Sequence, residues 1–268
     1  MEISILGWAV YLLVGALAGI MAGLLGVGGG MIMVPALLWL LPMAGVADAH
    51  LMQTALGTSL AAIIITSISS LRAHQRRNAI QWPVVRWLAP GVVVGALLAG
   101  AIAAWLSSDL LILIFALFAL LIALRIVFAR PVHVVSSPAN YWWPAWGLGI
   151  GTVSGLVGIG GGSLTVPLLL HYGYPVTQAI GSSSAVGLPI AIGGTIAYIA
   201  AGPDQHLNTG LAGFVYLPAV LCLSLASWFT APFGAKLAHR WPAARLKKIF
   251  ALFLLIVSAR LFWRVLAA

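Results

Sequence analysis

The sequence predicts an all-α polytopic membrane protein made of two inverted-topology repeats of about five segments each. Three observations support this prediction. The 268 residues are 62% apolar and only 6% charged, with a mean hydropathy of +1.11, far more apolar than a soluble domain. The apolar runs are continuous over membrane-spanning lengths, whereas the strands of a membrane β-barrel would alternate. A glycine-rich motif occurs twice, at a constant offset of 132 residues.

The repeated motif predicts a break in a membrane helix. Residues 23–38 recur as 155–170, with ten of sixteen positions identical. Three consecutive glycines interrupt a regular helix, and a proline five positions later suits the start of a new one. Within a membrane, such a break needs protein or a water-filled cavity to satisfy its backbone, so it marks a candidate binding site. The residues are Gly28, Gly29, Gly30 and Pro35 in the first copy, and Gly160, Gly161, Gly162 and Pro167 in the second.

Ten apolar segments follow one another along the chain. Eight are taken as long spans. Segments two and seven are half-helices, since about 1.5 Å per residue leaves them short of a hydrocarbon core about 30 Å thick. We expect each half-helix to complete the broken helix before it. The segments are 3–25, 31–41, 51–71, 84–105, 110–128, 142–157, 164–172, 178–201, 211–235 and 246–266.

Further matches extend the repeat over the whole chain. Residues 55–59 resemble residues 179–183, and residues 114–118 recur unchanged as residues 249–253. The chain therefore divides into a first transmembrane repeat (1–130), a cytoplasmic linker (131–140) and a second, inverted repeat (141–268).

The charges orient the two repeats. The basic loop 72–77 is expected to be cytoplasmic. Alternating the segments from that loop places eleven of the thirteen Lys and Arg residues inside and all four acidic residues outside. An odd number of segments per repeat inserts the second copy upside down, with both termini outside. Inverted repeats with broken helices are typical of secondary transporters.

The missing residue types exclude several function classes. No Asp or Glu lies within an apolar segment, and the six His residues lie in loops or at segment ends. This pattern argues against a proton relay, a hydrolase and a metal centre, so we predict no enzyme, cofactor or metal. The net charge of +9 fits cytoplasmic loops better than nucleic-acid binding. With Cys222 alone, neither an intramolecular disulfide nor a cysteine cluster can form.

What remains in the sequence suits an anion. A half-helix that begins after three glycines presents free amides and the positive end of its dipole. Two such starts from inverted copies could converge on one small oxyanion. Hydroxyl side chains lie at corresponding depth in both halves, and they could equally make interhelical hydrogen bonds. They are Thr58, Ser59, Ser182, Ser183 and Ser184, together with Ser163 in the second glycine-rich turn, where the first turn has Met31.

The duplicated motif, followed in each half by Ala-[Leu/Ile]-Gly-[Thr/Ser]-Ser, closely resembles the sulfite exporter TauE/SafE family of membrane anion permeases. The resemblance covers both halves in order. It implies a bacterial inner-membrane carrier of sulfur-containing anions, namely sulfite, organosulfonates such as sulfoacetate, or thiosulfate. It also implies that the glycine triplets and the two prolines frame the substrate path.

We therefore predict a secondary transporter that exports sulfite or an organosulfonate by alternating access. With the cell interior negative, anion efflux runs downhill by about 2.3 kcal/mol per charge per 100 mV, and it needs no coupling ion. The alternatives are a permease for uptake of thiosulfate or another small organic anion, a passive anion channel, and a sulfur-transfer enzyme using Cys222. The expected partners are the anionic substrate and membrane lipid, with no nucleic acid; a homodimer stays open.

Overall fold

The computed structural model describes residues 5–26, 28–128, 140–203, 210–238 and 243–266. Over these ranges the chain is helical apart from short turns and one small hairpin, which confirms the all-α fold class. The predicted linker lies outside the described residues except for position 140. In chain order the main elements are α1 (Ile5–Leu25), α2 (Gly30–Leu40), α3 (Leu51–Gln75), α4 (Trp82–Trp105), α5 (Ser108–Val127), α6 (Trp143–Val157), α7 (Gly162–His171), α8 (Val176–Ala201), β1 (Leu211–Ala212), β2 (Val215–Tyr216), α9 (Leu217–Ala238) and α10 (Ala243–Leu266).

Seven of the described helices are long and apolar enough to cross a membrane: α1, α3, α4, α5, α8, α9 and α10. The sequence predicts eight, and the difference is α6, whose 15 residues extend only about 22 Å. The helix stops at Val157 because Gly158 is left-handed, with φ +68°, and caps it. α2 and α7, with 11 and 10 residues, are the two predicted half-helices.

Each half-helix folds back along the helix before it. A Cβ added to Gly29 would lie 2.8 Å from the carbonyl oxygen of Ala18, about two turns back in α1. A Cβ on Gly161 would lie 3.5 Å from Ile150 in α6. If the chain kept the direction of α1 or α6 after the break, these glycines would lie beyond the end of that helix and not beside it. The left-handed glycines therefore reverse the direction of the chain. The expectation that each half-helix completes the broken helix before it is therefore wrong, because each half-helix instead turns back beside that helix.

The helices of the two halves pack in matching pairs. α1 packs along α9 as α6 packs along α4, and α2 packs on α3 as α7 packs on α8. α5 packs on α10. The close packing of α1 on α9 and of α6 on α4 depends on glycines, which have no side chain. A Cβ on Gly15 would lie 2.6 Å from the carbonyl oxygen of Leu223, and one on Gly147 would lie 2.5 Å from that of Leu88. Exchanging each helix for its counterpart maps these pairs onto one another.

α3 and α8 lie side by side at the centre of the bundle. A Cβ on Gly57, early in α3, would lie 3.0 Å from the side chain of Tyr198, late in α8. Ser70, late in α3, lies in hydrogen-bond contact with Ser184, early in α8. The two counterpart helices are therefore antiparallel, and α3 is the most enclosed of the candidate spans.

A short β-hairpin occupies the start of the segment predicted as a span over 211–235. β1 and β2 pair antiparallel, with Leu211 opposite Tyr216. Gly210 and Gly213 have φ values of +75° and +54°, which a helix cannot contain. The amide of Phe214 donates to the carbonyl oxygen of Tyr198 at 3.1 Å, so the hairpin lies against the end of α8.

The charged residues separate the two ends of the bundle. Arg72, Arg76 and Arg77 lie where α3 ends, and α9 runs parallel to α3 and ends near Lys236. We call this the basic end. Asp48 and Asp109 lie at the other end, the acidic end, where the first turns of α3 and α5 meet through hydrogen bonds of Ser108.

Candidate functional site

The two glycine-rich turns have backbone conformations that favour glycine. Gly26, Gly28 and Gly29 have φ values of +70°, +79° and +82°, and Gly158 and Gly161 have values of +68° and +73°. Side chains rarely adopt this region because Cβ crowds the backbone. The glycines therefore determine the shape of both turns.

The two turns meet at the centre of the bundle through equivalent residues. A Cβ on Gly28 would lie 2.8 Å from the Cα atom of Gly160, its counterpart at the 132-residue offset. A Cβ on Gly30 would contact the carbonyl oxygen of Gly158. No side chain fits between the turns, so their backbones face each other directly.

Within the part of the chain that the structure describes, several backbone amides of the two turns have no hydrogen-bond acceptor. Gly28, Gly29, Gly160 and Gly161 are buried, and none of their amides donates in the described hydrogen bonds. α2 and α7 begin beside them, so the positive ends of two helix dipoles lie there as well. Because a buried amide without a partner is costly, this arrangement favours a polar or anionic ligand.

Two of the predicted hydroxyls hold the turns in place. Ser59 donates to the carbonyl oxygen of Gly158 at 2.9 Å. Its counterpart Ser183 donates to the carbonyl oxygen of Gly26 at 3.2 Å, and also to that of Ile180. A serine of each half therefore donates a hydrogen bond to the equivalent glycine carbonyl in the helix break of the other half.

Two more of the predicted hydroxyls accept backbone amides at the starts of matching segments. Thr58 accepts from the amide of Tyr216, just before α9, at 2.9 Å. Ser182 accepts from the amide of Gln81, just before α4, at 2.8 Å. Both residues are fully buried, so the described contacts give these hydroxyls a role in joining helices.

Apart from Ser184, the remaining predicted residues lie in α2 and α7. Met31 is buried, and the buried hydroxyl of Ser163 has no hydrogen-bond partner within the described chain. Pro35 and Pro167 lie in the second turn of their helices and not at its start. Pro167 is half-buried and borders a groove that contains Arg125, away from the contact between the turns.

A small recess lies against the paired turns on the side toward the basic end. It comprises about 180 Å³ of space between atoms, including space open to the surroundings, and it is too narrow for the centre of a water molecule. Its hydroxyls come from Ser67, Ser70 and Ser184. The hydroxyl oxygens of Ser70 and Ser184 lie 3.1 Å apart. The remaining lining residues are Ala22, Gly26, Gly28 and Gly160.

Ser67 and Ser70 are site residues that the sequence reasoning did not identify. The available signal was the run 66–70, in which four of five residues carry hydroxyls within an otherwise apolar segment. Ser184 is one of the predicted hydroxyls of α8.

The equivalent space on the side toward the acidic end is filled. At the 124-residue offset that relates α3 to α8, the positions of Ser184 and Ser70 correspond to Leu60 and Gly194. The Cδ1 atom of Leu60 would lie 2.7 Å from a Cβ on Gly194, and Ile190 packs against Gly161. The site is therefore polar on one side of the turns and closed by aliphatic side chains on the other.

Among the residues that the structure describes, no acidic, basic or histidine side chain lines the recess. Within the described ranges, no three His, Cys, Asp or Glu residues lie together as a metal site would require. Ser184 donates to the carbonyl oxygen of Ile180 at 3.2 Å, so its hydroxyl would have to leave that bond to donate to an anion. The described lining residues offer no carboxylate to neutralise a cation.

Comparison with known proteins places this geometry in context. The family described as sulfite exporter TauE/SafE matches residues 11–261. A probable membrane transporter protein of Haemophilus influenzae is 39% identical over 94% of this chain and 96% of its own length. A second, from Methanocaldococcus jannaschii, is 30% identical over 85% of each chain, and YunE of Bacillus subtilis, with the same description, is 25% identical over 96% and 98%. No solved structure matches the chain.

Proposed function

The chain belongs to the sulfite exporter TauE/SafE family, and on that basis we propose that it exports small sulfur-containing oxyanions, such as sulfite or an organosulfonate, across the bacterial inner membrane. It is a multi-pass membrane transporter. The observation that carries the proposal is the recess, which is lined by buried glycines of both turns and by three serines, with no carboxylate among the described lining residues.

The chemistry of the recess supports an anion over a cation. Amide and hydroxyl groups donate hydrogen bonds to oxyanion oxygens, and the starts of α2 and α7 add a positive potential. No fixed cation lines the recess, so the anion is held by hydrogen bonds alone and can leave again. A cation would meet the positive ends of two helix dipoles and no counter-charge.

The difference between the two sides of the site supports alternating access. The antiparallel contact between α3 and α8, together with the matching helix pairs, supports an inverted repeat, and an inverted repeat can exchange the roles of its halves. In the conformation described here, the polar side lies toward the basic end, which we propose faces the cytoplasm. Because the recess is too narrow for water, substrate entry requires the halves to separate there.

The membrane potential favours export as the direction of transport. An anion that leaves a negative interior gains about 2.3 kcal/mol per charge per 100 mV, so export needs no coupled ion. Uptake of thiosulfate or of another small organic anion remains the alternative, and it would require a coupling ion or a proton carried by the substrate. A passive channel would conduct current without exchanging substrate.

Exchange in proteoliposomes tests the proposal. Vesicles loaded with unlabelled sulfite or sulfoacetate should accumulate the labelled anion only when the protein is present. We expect Ser67→Ala together with Ser184→Ala to slow this exchange about ten-fold or more, because each hydroxyl bound to a charged group contributes about 1.5–3 kcal/mol.

The matched control is Ser258→Ala. Ser258 is also buried, but its hydroxyl donates to the carbonyl oxygen of Ala116 between α10 and α5, away from the recess. If the recess variant and the wild type exchanged substrate at equal rates, the substrate would not bind in this recess. Current without exchange would identify a channel.

A further inference from the structure

The basic end of the bundle carries a groove between α3 and α9 that is separate from the recess. Two adjoining open pockets of about 260 and 570 Å³ share Ala73, Arg76 and Pro232. Arg72 borders the first cavity, and Lys236 and Arg77 border the second.

The groove and the recess lie on different faces of α3. Ser69, Arg72 and Arg76 face α9 and the groove, whereas Ser67 and Ser70 face α8 and the recess. A ligand in the groove would therefore not occupy the candidate transport site.

Among the residues that the structure describes, no carboxylate neutralises the cations of the groove. In the described part of the chain, none of them pairs with a carboxylate, and Asp48 and Asp109 lie at the opposite end. Arg72 is held in place, with its guanidinium 5.3 Å from the centre of the Trp228 ring. Ser69 fixes the same turn of α9 by donating to the carbonyl oxygen of Trp228 at 2.7 Å.

The groove also has an apolar wall that faces outward. Phe229 and Phe233 are 71% and 58% exposed, and Pro232 lies between them. They lie on a candidate membrane span, which would place their exposed faces against acyl chains. The cations lie at the end of this wall, at the level where a headgroup would be.

We propose that this groove binds an anionic phospholipid, with the headgroup phosphate between Arg72, Arg76 and Lys236 and one acyl chain along Phe229 and Phe233. The combination of a preset cation cluster and an adjoining apolar wall matches an amphiphilic anion better than a free one. The proposal does not depend on the identity of the transported substrate.

A lipid titration tests this assignment. Purified, delipidated protein in a neutral detergent is titrated with phosphatidylglycerol, with phosphatidylcholine of the same acyl chains, or with inorganic phosphate, and the thermal midpoint is measured. Only phosphatidylglycerol should raise the midpoint, because a ligand that binds the folded state stabilises it. An equal rise with phosphatidylcholine, or a full rise with phosphate alone, would overturn the proposal.

A double variant locates the effect. Arg76→Gln with Lys236→Gln leaves the Arg72–Trp228 contact intact and should raise the apparent Kd for phosphatidylglycerol about twenty-five-fold, at roughly five-fold per cation. Arg86→Gln with Lys248→Gln is the matched control, because it removes two exposed cations that do not border the groove. If both double variants respond alike, the groove is not the binding site.

Discussion

Replacing Gly28 by alanine tests the contact between the two glycine-rich turns. The added Cβ would lie 2.8 Å from the Cα atom and 2.9 Å from the nitrogen of Gly160, both of them backbone atoms that cannot turn away. The φ of +79° adds about 1–2 kcal/mol for a residue that has a side chain. Overpacking of a tight contact costs about 1–3 kcal/mol more. We therefore expect Gly28→Ala to lower the free energy of unfolding by roughly 2–5 kcal/mol.

The assay is thermal unfolding of the detergent-purified protein, followed by exchange per folded molecule in proteoliposomes. At about 2–4 °C per kcal/mol, the midpoint should fall by at least about 4 °C. Gly149→Ala is the matched control. A Cβ at Gly149 meets nothing within 4 Å, and alanine favours the helix there, so the midpoint should not fall.

The outcome distinguishes a structural contact from a coincidental approach of two loops. If Gly28→Ala kept the wild-type midpoint and exchange rate, the two turns would not meet as described, and the recess beside them would lose its wall. A lower midpoint with Gly28→Ala alone, and not with Gly149→Ala, is the expected result.

Other hydroxyl and thiol variants separate structural roles from transport. Ser59→Ala and Ser183→Ala each remove the donor to a carbonyl of the opposite break, so unfolding measurements should give similar losses of about 1 kcal/mol; a loss in only one variant would contradict equivalent roles. Thr58→Val leaves the amide of Tyr216 without its acceptor, and it should lower the thermal midpoint while substrate affinity in a binding titration stays at the wild-type value. Cys222→Ala should leave the exchange rate unchanged, and abolished activity would instead favour sulfur-transfer chemistry.

Much of the architecture could be predicted because it depends on local and repeated signals. The glycine triplets predict where the helices break, since no other residue adopts those φ values readily. The repeat at an offset of 132 residues predicts which elements correspond. The uncharged apolar runs predict the helices that are long enough to span.

The path of the chain after each break could not be predicted from the motif. Whether a half-helix continues or returns depends on which glycines take left-handed φ, and Gly28 and Gly29 do so whereas Gly30 does not. The hairpin before α9 was missed because its four strand residues are apolar and read as part of a span. Gly210 and Gly213 were the available signals against that interpretation.

The recess could not be found from residue type alone. Serine in an apolar helix bonds readily to its own backbone, so its presence does not reveal which face it occupies. Ser70 and Ser184 are 114 residues apart, and only the antiparallel packing of α3 on α8 brings them together. The predicted hydroxyls Thr58 and Ser182 lie in the same two helices, but they bond to segments that precede α9 and α4.

The aliphatic closure by Leu60 has a consequence for the energy balance of the cell. A narrow passage lined by apolar groups does not hold a continuous file of water, because water there loses hydrogen bonds that the walls cannot replace. In a conformation that opens the serine side and keeps Leu60 packed over Gly194, this contact would therefore interrupt a continuous file of water between the two aqueous phases. A carrier closed in this way does not let protons leak down their gradient when no substrate is bound. We expect Leu60→Ser to introduce a measurable proton leak.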